Sequence, residues 1–417
     1  MEMSLESSFC SRERLQVEAR RVAGWATIAL GFTIPIWVVA DSILVVLLVV
    51  CWLASGEWKE RLRRITTSPV AMSVLLLFGW LLLGTLWGGG SVQERALAIK
   101  KYADLLLIPV LISMAITVQA RNRALVALAA SLVLTLFLSL GVLAGGSLPF
   151  SASLGCDSLD SCVFKKHTTH NVLMAFGALL FAVLAWKSSD RWVRWGWGTA
   201  SVLAASNVLL MVQGRTGYVV LAGLAILGFY MALGWRGILA GVVALSVSFS
   251  IAYQVSPRFH ERVSLATSSV TQWNPKVAVV GDPIGWRLEY FYHTVEIIQD
   301  HPLMGVGTGG FVQTYRARAE QAGLDVPPHP HNQYLFILVQ VGIVGLGLLL
   351  WLFVQQWRSA SLAGDALYGL LARGVVVTIA LGCLFNPFLV DHTEKLLYCW
   401  LSGLLYFGNE AELGTKT

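Results

Sequence analysis

Pro330-His331-Asn332-Gln333-Tyr334-Leu335 marks the point where a long polar segment, 255–330, gives way to an apolar run, and this junction decides how the chain is read. The polar segment is the only long stretch that could not sit inside a bilayer. It holds seven of the twelve prolines, the arginines Arg258, Arg262, Arg287, Arg316 and Arg318, and a histidine pair, His329 and His331, at the edge of the apolar span. A loop of this length in an otherwise apolar chain is more often functional than connective. Charged and nucleophilic groups placed where such a loop meets a membrane suit a substrate with a lipid tail and a polar head.

Outward from this junction the chain is apolar almost everywhere. Of 417 residues, 56% are hydrophobic and only 13% charged, with sixteen tryptophans and a mean hydropathy of +0.66. Such a composition excludes a soluble globular protein and places the chain in a membrane. The polar first twenty-one residues carry Arg12, Arg14, Arg20 and Arg21, and no small-residue cleavage site follows, which predicts a retained first helix and not a signal peptide.

A hydrocarbon core takes about 20 apolar residues per helix. Apolar runs at roughly 22–38, 40–55, 70–88, 102–118, 124–145, 171–186, 194–212, 216–234, 237–254, 331–354, 366–388 and 395–408 predict an all-α integral membrane protein of about twelve transmembrane helices. Three regions follow: 1–254 with the first nine spans, 255–330 as one large external loop forming a helical lid, and 331–417 with the last three spans and a cytoplasmic tail. With the N-terminus inside, the short cytoplasmic loops collect Lys59, Arg61, Arg63 and Arg64, then Arg121 and Arg123, then Lys187, Arg191 and Arg194, then Arg236 and Arg358. The positive-inside rule is satisfied at every turn, and the candidate chemistry falls on the opposite face. The formal charge of +6 is therefore a matter of membrane orientation and does not point to nucleic acid.

Of the six cysteines, Cys51, Cys383 and Cys399 lie in apolar spans and Cys10 in the cytoplasmic tail, while Cys156 and Cys162 share an external loop. On an oxidising face a small disulfide loop is favoured over two free thiols. Zinc is disfavoured, because only His167 and His170 lie nearby and no second cysteine pair exists.

Taken in order, Gln93-Glu94-Arg95 to Lys100-Lys101-Tyr102 reads as an interfacial helix with snorkelling lysines. Asp104, just inside the fourth span, needs a partner, and Lys100 or Lys101 is the nearest in sequence. Lys165-Lys166-His167-Thr168-Thr169-His170-Asn171 precedes an apolar run and reads either as a polar rim facing a head group or as a solvated helix cap. Gln213-Gly214-Arg215-Thr216-Gly217 is a tight external turn that holds Arg215 at the membrane edge. Glycine on both flanks allows close approach to a ligand, and a rigid guanidinium fork matches phosphate bidentately.

In the large loop, Trp286-Arg287-Leu288-Glu289-Tyr290-Phe291 opens a helical pattern that ends at Asp300-His301-Pro302, and a second helical piece runs over about 310–322. Gly305-Val306-Gly307-Thr308-Gly309 between them has no preceding strand and no P-loop lysine, so it is not a nucleotide site. Gly342, Gly345 and Gly347 in the tenth span allow close helix contact. Arg373, inside the eleventh span, reads as structural or snorkelling. A last external turn, 386–395, brings Asn386, Asp391, His392 and Glu394 to the same face.

These pieces together resemble the O-antigen ligases of Gram-negative bacteria, within a family that also holds O-antigen polymerases and protein-directed oligosaccharyltransferases. The resemblance rests on Pro330-His331-Asn332-Gln333-Tyr334-Leu335 with Gly342, on Gly214-Arg215-Thr216-Gly217, on Arg287 and on Gly305-Val306-Gly307-Thr308-Gly309, supported by 165–171 and 386–394. It covers spans three to twelve; the first seventy residues match in hydropathy alone.

It implies a multispan, GT-C-like glycosyltransferase of the bacterial inner membrane with its site on the periplasmic face. The donor would be O-antigen on undecaprenyl diphosphate and the acceptor lipid A–core oligosaccharide, as in lipopolysaccharide biosynthesis. The residues agree with that chemistry. His331 suits a general base, and Arg215 and Arg287 suit charge stabilisation on the departing diphosphate. Lys165, Lys166, His167, His170, His329, Asn332 and Asp391 are the expected substrate contacts. No Asp-x-Asp motif is present, so transfer without metal or other cofactor, by direct displacement with inversion, is the expectation. An O-antigen polymerase or a protein oligosaccharyltransferase would use the same residues, and a lipid-linked oligosaccharide transporter or a non-enzymatic assembly scaffold is the alternative from another class.

Overall fold

In hydrocarbon a backbone must satisfy its own hydrogen bonds, and apolar runs without strand-length alternation can do so only as helices. The computed structural model describes residues 2–114, 116–146, 148–255, 257–275, 279, 281–322, 325–362 and 365–406, and over these it is helical, with an isolated bridge between Asp157 and Asp160 and no strand. The C-terminal tail beyond 406 and the side chains of Cys10, Arg12, Arg258 and Arg262 lie outside the described residues.

The first half comprises α1 (Glu2–Thr33), α2 (Val38–Ala54), α3 (Trp58–Thr67), α4 (Pro69–Leu83), α5 (Val92–Tyr102), α6 (Leu107–Ser113), α7 (Val118–Leu143), the single turn α8 (Pro149–Ala152), α9 (His167–Lys187) and α10 (Arg191–Ser206). The second half continues with α11 (Arg215–Leu233), α12 (Trp235–Val255), α13 (Pro257–Gln272), α14 (Pro283–Asp300), α15 (Phe311–Ala322), α16 (Gln333–Ser359), α17 (Ala366–Gly382) and α18 (His392–Leu405). Sequence signals set many of the starts. Ser68 caps α4 with Pro69 at its first position, Ser91 and Glu94 form a reciprocal capping box on α5, and Thr117, Asp190, Asp282, Asn332 and Asp365 cap α7, α10, α14, α16 and α17.

Each of the twelve apolar runs carries a helix, but among the described residues five helices are long and apolar enough to cross a membrane by themselves: Pro69–Leu86, Val118–Leu143, His167–Lys187, Arg215–Leu233 and Gln333–Ser359. The bent pair α2 and α3, inclined by 117°, makes a sixth if counted as one span. The other runs are shortened by local breaks. The 102–118 run is split by a 3-10 turn at Ala103–Leu106, and the 194–212 run ends in a π turn at Asn207–Met211. The centre of the bundle is α9, the most enclosed of the five, against α7, α10, α11 and α17. Helix α18 is buried from Thr393 to Leu405.

Among its described residues the polar segment forms three helices, not the two read from sequence. Helix α13 was hidden by a Ser- and Thr-rich composition, 264–271, which reads as loop and supplies few apolar residues to reveal a period. Cys156 and Cys162 are disulfide-bonded, and Cys51, Cys383 and Cys399 are buried free thiols.

Helix α16 is broken at Val341 and Gly342, the latter at φ +68°. The glycine-rich turn 301–310 is docked into that break. Val306 N–H donates to Val339 O and Gly307 N–H to Gln340 O, each at 2.8 Å, while Ile343 N–H donates to Pro302 O at 3.0 Å. Thr308 reaches the end of α4, its N–H to Gly84 O at 2.9 Å and its Oγ1 to Leu81 O at 2.7 Å. Backbone groups freed inside a membrane-length helix cost several kcal/mol each if left unpaired, so this turn completes α16. The glycines expected to bring helices together serve otherwise. A Cβ on Gly342 would lie 1.9 Å from Leu303 O, and one on Gly307 2.2 Å from Gly88 Cα, whereas nothing lies within 4 Å of Gly347.

Candidate functional site

Proline at 330 restricts the residue before it, and Asn332 must be extended to cap α16, accepting from Leu335 N–H at 3.0 Å. Between Pro330 and Asn332, His331 lies in the left-handed region, φ +53°, one of two non-glycine residues there among those described. Strain of this kind persists where surrounding contacts over-determine it. Here they do: Asn332 Nδ2 donates to Leu384 O at 3.0 Å, Gln333 N–H to Cys383 O at 2.8 Å, and Gln333 Oε1 accepts from Leu389 N–H at 3.0 Å. The junction is thereby tied to the turn that carries Asp391. Asn332, an expected substrate contact, has both ends of its amide engaged in holding this turn.

The His331 imidazole lies between two rings. It meets His329 at 4.5 Å between centroids, edge-on, and Tyr290 of α14 at 6.1 Å with planes 17° apart. Its Nδ1 is buried with no hydrogen-bond partner among the described residues. Burial, followed by the positive charge of Arg287, lowers its pKa to about 4. His329 is likewise lowered to about 4, by burial first and then by His331, Lys101 and Arg287.

Arg287, half-buried one helical turn before Tyr290, is itself depressed by burial and by the charge of Arg215. Arg215, exposed at the first turn of α11, thus shares one electrostatic neighbourhood with Arg287, His329 and His331. Among the described residues neither arginine has a carboxylate partner within ion-pair distance. Two guanidinium groups in one electrostatic neighbourhood, without a carboxylate partner among the described residues, suit a dianionic ligand. The glycines beside Arg215 have another role than ligand approach. Asn171 of α9 donates to Gly214 O at 2.8 Å, and a Cβ on Gly217 would lie 2.5 Å from Asn171 Cβ, so they seat α11 on α9.

A second polar cluster adjoins the first through Lys101, whose charge acts on both His329 and Asp391. Asp391 is pushed up to about 7 by burial and by Glu394, against the pull of Lys101 and Lys395. Asp104 pairs with Lys395, at 2.9 Å, and not with Lys100 or Lys101; Lys395 Nζ also donates to Lys101 O at 2.6 Å. A partner almost three hundred residues away cannot be found from local spacing. Lys165 is buried, its Nζ without a hydrogen-bond partner, and burial lowers its pKa against the opposing charges of Asp41 and Glu394. Asp41, fully buried on α2, accepts from Thr33 Oγ1 at 2.7 Å and approaches His392 Nε2 at 3.7 Å. Sequence reading passed over Asp41, although an ionisable group at the edge of an apolar run is itself a signal.

Elsewhere the expected contacts diverge. Lys166 is exposed; His167 Nδ1 lies 3.2 Å from Asp160 Oδ2, and Asp160 Oδ1 accepts from Gln213 N–H at 3.0 Å, so His167 braces the turn before Arg215. His170 is buried in the bundle, bonded to Asn207 Oδ1 at 3.0 Å. No group of three or more metal-ligating side chains occurs among the described residues.

Residues 200–351 match the family model described as O-antigen ligase. The matched segment, just over a third of the chain, contains Arg215, Arg287, Tyr290, His329, His331 and the glycine-rich turn. No curated protein matches the chain.

Proposed function

We propose that this chain, as an O-antigen ligase family protein, is a glycosyltransferase that moves O-antigen from undecaprenyl diphosphate to lipid A–core oligosaccharide at the periplasmic face of the inner membrane. The observation that carries this reading is the neutral, strained His331 beside Arg287, itself within the field of Arg215.

The reaction needs little from an acid, because diphosphate is already a good leaving group. The acceptor hydroxyl oxygen attacks the anomeric carbon from the face opposite the diphosphate, and the C–O bond to the diphosphate breaks with its electron pair leaving on oxygen. The hydroxyl proton passes to the imidazole of His331, and inversion results. Arg215 and Arg287 hold the negative charge that grows on the leaving oxygen, which is where preorganised donors contribute most. Burial keeps His331 unprotonated at neutral pH, and Arg287 reinforces this. A bound diphosphate offsets the positive charge of Arg287 and so raises the basicity of His331 when substrate is present. General-base catalysis of this sort contributes about 10²–10⁴-fold. The acceptor's own negative groups find Lys165, Lys166 and Lys101, and His329 and Asp391 border the acceptor side.

The test is transfer from a defined polyprenyl-diphosphate glycan to purified lipid A–core by protein in nanodiscs. His331→Ala is expected to abolish transfer while donor binding persists. An active His331→Ala with an inactive His329→Ala would move the base to the other histidine. Extension of the donor glycan by a second donor, with lipid A–core ignored, would make the chain a polymerase of the same family.

A further inference from the structure

A cavity of about 640 Å³ opens beside Arg215, between α13 and the start of α14. One wall is a single face of α13, Leu265, Ser268, Ser269 and Gln272 at spacings of three and four, continued by Trp273 just past the helix end. The hydroxyls of Ser268 and Ser269 both donate to Leu265 O, at 2.9 and 2.8 Å, which leaves their oxygens turned to accept. Trp273 packs edge-on against Tyr292, centroids 5.9 Å apart, and its buried indole N–H has no protein acceptor. Asp282, across the cavity, engages one carboxylate oxygen in capping α14.

The geometry points to this cavity as the subsite for the donor's first sugars, those joined directly to the diphosphate. This rests on the diphosphate lying at Arg215, as in the function proposed above. A group attached to a phosphate held there reaches the cavity at once, because Arg215 lines it. The lining suits a saccharide: an indole for the apolar face of a sugar ring, and a ring of amide, hydroxyl and carboxylate groups for its hydroxyls. A polyprenyl tail would leave those polar groups unpaired at a cost. The volume lies within the range of about 300–1,000 Å³ typical of small-ligand pockets. That admits a few sugar rings and not a polysaccharide, so the protein reads the reducing end of the glycan and is indifferent to its length.

Binding of three probes to full-length protein in nanodiscs tests the inference: bare undecaprenyl diphosphate, the same lipid carrying one sugar repeat, and the same lipid carrying many. Wild type is expected to bind both glycan lipids more tightly than the bare lipid and nearly equally to one another. Gln272→Ala and Trp273→Leu are each expected to weaken both glycan lipids roughly tenfold and leave the bare lipid unchanged. Glycan and bare lipids that bind alike in wild type, or that weaken alike in both variants, would overturn the subsite. So would variants that raise the KM for lipid A–core and leave donor binding intact, which would give the cavity to the acceptor. Failure of the bare lipid to bind wild type, or Arg215→Ala binding it normally, would instead strike the diphosphate assignment, and the subsite with it.

Discussion

The imidazole of His331 faces the ring of Tyr290 at 6.1 Å, with the two planes 17° apart. This contact joins the polar segment to the membrane helix that follows it, since Tyr290 belongs to α14 and His331 immediately precedes α16. It bears on the ring plane of the proposed base, and small misplacements of a reacting group are costly in rate. Tyr290→Phe keeps the ring and is expected to retain transfer within about twofold, whereas Tyr290→Ala is expected to lower kcat roughly tenfold with little change in donor KM. Equal rates in both variants would show that the contact does not orient His331.

The pH dependence should carry the imprint of burial. An ordinary histidine loses its proton near 6.5, but His331 in the folded protein does so at about 4. The neutral, competent form is therefore complete throughout the neutral range, and kcat/KM should fall only as pH approaches 4. Asp391, pushed up to about 7, supplies any step near neutrality. The profile is best recorded in Asp391→Asn, where that step should vanish; a midpoint near 6.5 remaining there would contradict the buried-base reading. Stability follows the same shift. Between about 6.5 and 4 the unfolded chain takes up protons at His329 and His331 that the folded chain does not, so stability falls as pH drops through that window.

Helix α16 makes a stability prediction that is independent of activity. Gly342 sits at φ +68° with Leu303 O 1.9 Å from where a Cβ would be, whereas Gly347, five residues on, has nothing within 4 Å. Gly342→Ala must displace the turn that supplies the missing hydrogen bonds, and should cost at least about 3 kcal/mol or prevent folding. Gly347→Ala should be neutral or slightly stabilising, since alanine is favoured in a helix by about 1 kcal/mol. Thermal unfolding of the two variants in detergent compares them directly, and equal melting temperatures would refute the account.

The parts of this architecture that were legible in the sequence are those written in local chemistry. Apolar runs marked the helices, the junction at Pro330-His331-Asn332 marked the start of α16, and Cys156 with Cys162 marked the bridge. The placement of Arg287 and His331 on the polar segment and its border, and of Arg215 in a tight turn between two apolar runs, was legible for the same reason. Long-range pairings were not. Lys395 with Asp104, and the glycine-rich turn with the break in α16, join segments whose sequences carry no mutual signal. Helix α13 was missed because the Ser- and Thr-rich run 264–271 masks the sparse apolar period of Phe259, Val263, Ala266 and Val270.

Arg215 and Arg287 give the sharpest remaining test of the proposed chemistry. Each lacks a carboxylate partner among the described residues, and burial together with the charge of Arg215 disfavours the charge on Arg287 until an anion joins them. If each forms a fork with phosphate oxygens, lysine keeps the attraction and loses the bidentate geometry. Arg215→Lys and Arg287→Lys are therefore expected to lower turnover by two orders of magnitude or so, the scale of removing one preorganised donor at a developing charge, while part of the donor affinity survives. An arginine that only anchors its turn to lipid head groups would be replaced by lysine almost without loss. Transfer rate and donor binding, measured separately for both variants, decide between the two, and near-wild-type rates in both would remove these residues from the site.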